Sequence, residues 1–366
     1  MTLISFARGF PGPDLLPVDE FGDCAIAALA RDGATALNYG PPLGYLPLRE
    51  WIADRHDVDV SRVIITNGSL QAFSFIARHH VQAGAKVFVE APCYDRSLQI
   101  LRRHDADVET VPLSDDGLDL DYLERALAET DGRKLVYTIP TFQNPSGRTL
   151  SEPNRHRLVE VARAHGAVIL EDDPYGLLRF EGERLPRIFE LAGGEGAMLL
   201  SSFSKTVAPG IRVGFAIVPE DVMEAMRTLV LENYVSPVMF VEVTLHEFVS
   251  RGRFDPNLES VQAALRVRRD TMISALAREM PEGTRWNEPD GGYFLWVDLP
   301  AGLSAESLLA QANEVGVPFI KGPDFFFHGG GESSLRLAFS HELPETIDEG
   351  IARLGKLVRD ALPVAV

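Results

Sequence analysis

Lys205 stands in Ser201-Ser202-Phe203-Ser204-Lys205-Thr206-Val207-Ala208-Pro209-Gly210-Ile211-Arg212-Val213-Gly214, among small hydroxyl residues and seven positions before an arginine. Pro209-Gly210 puts a turn between the two cations. A lysine kept from bulk water gives up its proton more readily and becomes a nucleophile for an aldehyde. Hydroxyls beside a guanidinium are what a phosphate dianion binds. An aldehyde that also carries a phosphate is pyridoxal 5′-phosphate. The same string fits a surface lysine in a serine-rich loop, so the rest of the chain must supply the other partners of such a ring.

Two clusters precede it, Asn144-Pro145-Ser146-Gly147 and Glu171-Asp172-Asp173-Pro174-Tyr175, each just after an apolar run. A buried carboxylate beside a pyridine nitrogen keeps that nitrogen protonated, so the ring can take electrons from a carbanion. Asp172, with Tyr175 three residues on, has the spacing for this, although Glu-Asp-Asp-Pro is also a good turn or helix cap. Asn144 alone reads equally as a β-turn residue. Gly68-Ser69 opens a helix, where free N–H groups and the helix dipole favour an anion. Arg336, in Ser334-Leu335-Arg336-Leu337-Ala338-Phe339, is a charge among apolar strand residues. Such a guanidinium needs a partner, either a bidentate carboxylate or a structural ion pair.

In this order and company the motifs resemble the fold-type I pyridoxal-phosphate enzymes, class I and II aminotransferases, most closely the branch holding 2-aminoadipate and kynurenine aminotransferases. The resemblance runs from about Ser5 to Leu357. It implies a pyridoxal 5′-phosphate cofactor bound through Lys205, with Asp172 rather than Asp173 on the ring nitrogen and Tyr175 and Asn144 on the ring oxygen. It implies that Tyr94 stacks on the ring and that Ser202, Ser204 and Arg212 join Gly68 and Ser69 around the phosphate. Arg336, with Asn144, would take the substrate α-carboxylate. Tyr39 would reach the phosphate of a neighbouring subunit, so a homodimer with shared sites is expected. Relatives commonly carry Gln where this chain has Leu70, and a small residue where it has Arg8; Arg8 is a candidate for biasing the substrate side chain. The implied reaction is ping-pong transfer of an amino group from an L-amino acid to a 2-oxo acid, 2-oxoglutarate by analogy. Elimination, cyclisation or oxidation of an amino acid on the same cofactor is the alternative, and a non-catalytic binding or regulatory protein is a more distant one.

Composition sets the outer bounds. The net charge is 35 − 53 = −18, which argues against nucleic acid or an anionic membrane as partner. Hydrophobic content of 45% with 24% charged residues is that of a soluble globular chain. Cys24 and Cys93 lie far apart with no C-x-x-C pair, which indicates free thiols and no metal site. No targeting segment or run of membrane-spanning length is evident, and a cytoplasmic enzyme is expected. No helix-turn-helix module precedes the core, so the fused transcription regulators found among relatives are not expected here.

Short apolar runs alternating with helical patterns between residues 63 and 200 predict an α/β fold, a mainly parallel sheet with helices on both faces, which the resemblance implies is that of fold type I. Strands are expected at Val63–Thr66, Val87–Glu90, Val108–Val111, Leu135–Ile139, Val168–Leu170 and Met198–Leu200. Ligands of such sheets bind beyond the carboxyl ends of the strands, which is where the motifs fall. After Gly214 the pattern turns helical, with a long helix over 257–280, and strands return at Tyr293–Val297 and Leu335–Phe339. The expected organisation is an N-terminal segment, 1–40, joining the small domain and a dimer interface; a large cofactor-binding domain, 41–255; and a smaller C-terminal α/β domain, 256–366.

Overall fold

The computed structural model describes residues 2–362, so Met1 and residues 363–366 of the expected outer segments lie outside the described residues. The chain opens on α1 (Val18–Ala36) and α2 (Leu46–His56). It then alternates through β1 (Val63–Thr66), α3 (Ser69–Gln82), β2 (Lys86–Ala91), α4 (Asp95–Arg103), β3 (Val108–Ser114), β4 (Gly117–Leu118) and α5 (Leu120–Ala128). Next come β5 (Lys134–Thr138), α6 (Glu152–Ala164), β6 (Ala167–Asp172), α7 (Ile188–Leu191), β7 (Ala197–Ser202) and β8 (Gly214–Ile217). Helices α8 (Glu220–Asn233), α9 (Met239–Ser250) and α10 (Phe254–Glu279) lead to β9 (Arg285–Trp286) and β10 (Phe294–Asp298). The chain closes with α11 (Ala305–Glu314), β11 (Ile320–Lys321), β12 (Ser334–Ala338) and α12 (Pro344–Ala361).

Eight strands form one sheet in the order β1-β8-β7-β6-β5-β2-β3-β4. Neighbours β7, β6, β5, β2 and β3 pair in parallel, while β8 runs against both β7 and β1. Every residue of β1 and β8 is buried, which suits continuous apolar runs covered on two faces. The helices follow from local chemistry of the same kind. In α5, Asp119 accepts the backbone N–H of Tyr122 as cap, and Leu120, Leu123 and Leu127 bury one face at helical spacing. A second, antiparallel sheet has the order β11-β12-β10-β9. The N-terminal segment runs alongside it: Phe6 donates to Pro318 O, and Phe6 O accepts from Ala338 N.

Three findings depart from the sequence reading. β8 occupies the stretch expected to turn helical straight after Gly214; four apolar residues carry no periodicity that separates strand from helix. Helix α1, which the amphipathic pattern of the sequence places over Asp19–Ala30, runs six residues further, through a non-helical Asp32. Strands β4, β9 and β11 span two residues each, too few for any pattern. Among the described residues, no helix is long and apolar enough to cross a membrane. No cluster of metal-ligating side chains occurs among them either.

One contact fixes the sheet to the site. A Cβ on Gly214, at the start of β8, would lie 2.3 Å from Ser69 N and 2.5 Å from Gly68 C. Backbone meets backbone there, at the N-terminus of α3. Gly214→Ala is expected to destabilise the protein by about 1–3 kcal/mol and to weaken cofactor retention. Thermal unfolding with and without cofactor measures both, and an unchanged melting temperature would contradict this packing.

Candidate active site

The carboxyl ends of β1, β2, β5, β6 and β7 converge on a cavity of about 380 Å³ that runs across to β12 and the N-terminal segment. Gly68, Ser69, Tyr94, Asn144, Asp172, Tyr175, Ser202, Ser204, Lys205, Arg212 and Arg336 all line it. Residues read from motifs spread over more than 250 positions are thus gathered around one space.

The acidic run at the end of β6 separates into three tasks. Glu171 accepts the backbone N–H groups of Ile188 and Phe189, capping α7. Asp173 pairs with Arg187 at 2.8 Å and accepts Gly176 N. Asp172 is 6% exposed and accepts only the Tyr137 hydroxyl, on Oδ2 at 2.9 Å. Its Oδ1 is buried with no partner. Burial pushes the carboxyl up to about 7. An orphaned buried oxygen costs about 1–3 kcal/mol, so this one calls for a donor from within the cavity.

Lys205 follows the end of β7, and its backbone carbonyl takes the Tyr293 hydroxyl at 2.9 Å. Its ammonium donates to Gly9 O and lies 5.4 Å from the Tyr293 ring and 5.9 Å from that of Tyr175. Burial, then the guanidinium groups of Arg336 and Arg212, brings its pKa down to about 7. Near neutral pH the amine is therefore populated in both protonation states.

Arg336 sits mid-strand in β12, 6% exposed. Its hydrogen bonds among the described residues run to Asn144 Oδ1 at 2.8 Å and Ala7 O at 3.0 Å, and Nε has none. Phe294 lies 4.2 Å beneath the guanidinium, Phe325 5.2 Å from it. No carboxylate of the described chain pairs with it, which sets aside the structural ion pair. A buried guanidinium satisfied by neutral oxygens alone suits an anionic ligand. Because Asn144 spends its carbonyl oxygen on Arg336, its amide N–H groups remain for the cavity.

At the other end, Ser202 Oγ donates to Ser204 Oγ at 2.9 Å and accepts the Ser204 N–H. Arg212 takes a left-handed backbone (φ 52°) and reaches Pro209 O, Asn67 O and Ser204 Oγ. Gly68, at φ +91°, leaves room for it; a Cβ there would meet Arg212 Nη2 at 2.3 Å. Leu70 lines the cavity where a Gln would have donated, while Gln71 instead accepts Asn67 N. The fit to pyridoxal 5′-phosphate rests on these features: an unpartnered acid, a lysine of lowered pKa, and hydroxyls, helix N–H groups and a guanidinium for a phosphate.

Two of the expected residues are not gathered. Tyr39 lies 82% exposed in the α1–α2 connection, outside the lining. Arg8 is exposed, its guanidinium 3.0 Å from His341 Nε2 and 6.0 Å from the Phe10 ring. Ala7, Gly9 and Phe10 line the cavity around it. The sequence reading missed those three, together with Tyr137, which is held in turn by Ser97 Oγ at 3.0 Å. It also missed Arg96, in the first turn of α4, which lines the mouth. Tyr137 carried a signal as a hydroxyl-bearing residue in an apolar strand, whereas backbone carbonyls such as Gly9 O carry none.

The profile of the family described as aminotransferase class I and II matches residues 17–354. A 2-aminoadipate transaminase of Thermus thermophilus is 39% identical over 98% of this chain and 91% of its own length. Aromatic-amino-acid aminotransferase 1 of Thermococcus litoralis is 35% identical over 98% and 89%. Among solved structures, an alpha-aminoadipate aminotransferase of Thermus thermophilus, complexed with N-(5′-phosphopyridoxyl)-L-leucine, superposes with a TM-score of 0.94 at 38% identity. That match covers 98% of this chain and 92% of the other.

In protein stripped of cofactor, labelling of Lys205 by an amine-directed reagent, followed by peptide mass spectrometry, is expected to rise with a midpoint near pH 7. Burial disfavours the ammonium, so the neutral, reactive amine dominates above that value. A midpoint at the ordinary lysine value of about 10.4 would remove the case for a desolvated nucleophile.

Proposed function

The chain belongs to the class I and II aminotransferases, pyridoxal-phosphate enzymes, and on that premise we propose that it transfers the amino group of an L-amino acid to 2-oxoglutarate by a ping-pong exchange through this one cavity. The observation that carries the reading is Arg336, buried without a carboxylate partner and facing Lys205 and Asp172 across the same space. An α-carboxylate supplies the missing anion. The cavity lining holds two further guanidinium groups, Arg212 and Arg96. Arg96 is loosely held, 3.3 Å from Gln99 Oε1 and 3.4 Å from Asp95 Oδ2, and its side chain is more than half exposed. Arg212 answers the phosphate, Arg336 the α-carboxylate, and Arg96, if drawn from Asp95, the second carboxylate of a dicarboxylic oxo acid, which supports 2-oxoglutarate as acceptor.

Pyridoxal 5′-phosphate supplies an aldehyde that captures the substrate amine and a ring that stabilises negative charge at Cα. In this reading Asp172, fixed by Tyr137, keeps the pyridine nitrogen protonated. Tyr175 and the free amide of Asn144 would donate to the ring oxygen, and Tyr94 would cover one ring face. The N–H groups at the start of α3, with Ser202, Ser204 and Arg212, would hold the phosphate. Arg336 would bind and orient the α-carboxylate, and Lys205, across the same space, would be the base for the Cα proton. Its pKa of about 7 lets Lys205 take that proton and give it back on the far side of the transfer.

The two sheets support a division into a large domain, 41–255, and a smaller one, 256–366, with the 1–40 segment joining the latter. A second copy of the chain is the proposed cover for exposed Leu37, Tyr39, Leu46, Val235 and Val238, which lie on and around the α1–α2 connection and the α8–α9 junction. Tyr39 would then serve the partner's phosphate.

The test is spectral. Holoenzyme mixed with each of a panel of L-amino acids, without acceptor, is expected to lose its visible cofactor band and release one equivalent of 2-oxo acid. Lys205→Ala should lower turnover by about 10³-fold or more. Continuous ammonia release without an acceptor, or sustained turnover by the lysine variant, would overturn the proposal.

A further inference from the structure

Glu90, one residue from the end of β2, is 3% exposed and has no role in the mechanism above. No cation pairs with it among the described residues. Three donors converge on its carboxylate instead. Thr138 Oγ1 and Ile139 N, at the end of β5, donate to Oε1 at 2.5 and 3.1 Å. Gln143 Nε2 donates to Oε2 at 2.9 Å. Two of these, Ile139 N–H and the Gln143 amide nitrogen, are donors only and face different oxygens, so the group at position 90 must accept on both atoms, which a carboxyl does and an amide does not. Burial pushes this carboxyl up to about 7, with Asp172 adding to the shift, so the acid is retained against a desolvation cost.

Gln143 shows what that cost secures. Its amide nitrogen also donates to Pro92 O at 2.8 Å, and its amide oxygen accepts Ser146 N at 2.8 Å. One bond thus ties the loop that ends in Tyr94, and the other shapes the loop that presents Asn144. Asn144 in turn accepts from Arg336. Cys93 N, between Pro92 and Tyr94, donates to Phe325 O, so the first loop is also latched to the wall beside Arg336.

We infer that Glu90 is a positioning residue for the substrate site, a buried acceptor that sets the Asn144 and Tyr94 loops relative to one another through Gln143. This rests on the reading of Arg336 and Asn144 as the carboxylate clamp. Glu90 touches neither substrate nor cofactor, and its effect is on where the clamp sits. An amide at position 90 would turn N–H groups toward either Gln143 or the end of β5. Rotating Gln143 to compensate would forfeit both Pro92 O and Ser146 N.

Glu90→Gln is expected to raise KM for amino-acid and oxo-acid substrates about tenfold, the scale of one buried donor left facing another. Its kcat and its cofactor affinity, which Asp172 and the phosphate seat carry in this reading, should stay within about threefold, while the cofactor band shifts because Asn144 and Tyr94 border the ring. Gln143→Met keeps the acid but removes the link to both loops and should raise KM by a similar factor with cofactor affinity within about threefold. Unchanged KM in Glu90→Gln, or an equal fall in kcat and cofactor affinity, would overturn the inference. Should Glu90→Gln not fold, Gln143→Met decides: a raised KM supports the inference and an unchanged KM overturns it. Arg336→Lys separates the two levels. If it leaves KM unchanged, the clamp reading itself fails. If it raises KM while Glu90→Gln does not, only the role of Glu90 fails.

Discussion

Charge held out of water without a counter-charge governs this structure. Arg336 rests on neutral oxygens and aromatic faces, Lys205 on a backbone carbonyl, and Asp172 on one phenol with its other oxygen bare. Each would be more stable paired or solvated. None pairs with another, because they stand on different elements around the cavity: the end of β6, the loop after β7, and β12, one of the two inner strands of the small sheet. The strain-free way to satisfy all three is a ligand bearing a carboxylate, an electrophile and a protonated ring. Recognition and catalysis draw on the same desolvation, which lowers one pKa and raises the other toward neutrality.

The fold contributes direction. Strands pointing the same way bring their carboxyl ends, and the loops that follow, to one side of the sheet. Strand alternation then sorts side chains that sequence alone leaves equivalent. Glu171 and Asp173 are consumed by α7 and Arg187, while Asp172 between them faces the cavity. The small sheet supplies the opposite wall, and the N-terminal segment, hydrogen-bonded alongside it, brings Ala7 and Gly9 carbonyls to the two cations.

Much of this was legible in the residues. Lys205, Asp172, Asn144, Tyr175, Arg212 and Arg336 are chemically distinctive, and each lies in or just after an apolar run, so both type and place could be read. What stayed hidden depends on contacts between distant positions. Glu90 is an ordinary acid until three donors are seen to meet on it, and Tyr137 an ordinary core aromatic until its hydroxyl finds Asp172. Gly9 acts through a carbonyl that every residue has. Arg8 shows the converse: a conspicuous residue in a lining segment points away, toward His341. β8 was missed because four buried residues carry no period.

The backbone contact between Gly214 and Ser69 has a consequence for molecular selection. The start of α3 and the end of the loop bearing Lys205 touch with no side chain between them, and Gly68 packs against the Arg212 guanidinium. The distance from the helix N–H groups to the loop backbone is therefore cut in main chain, and the lysine side chain alone is left to adjust. A cofactor analogue whose phosphate arm is one bond longer or shorter must take up the difference in that side chain, moving its nitrogen from its place beside Gly9 O.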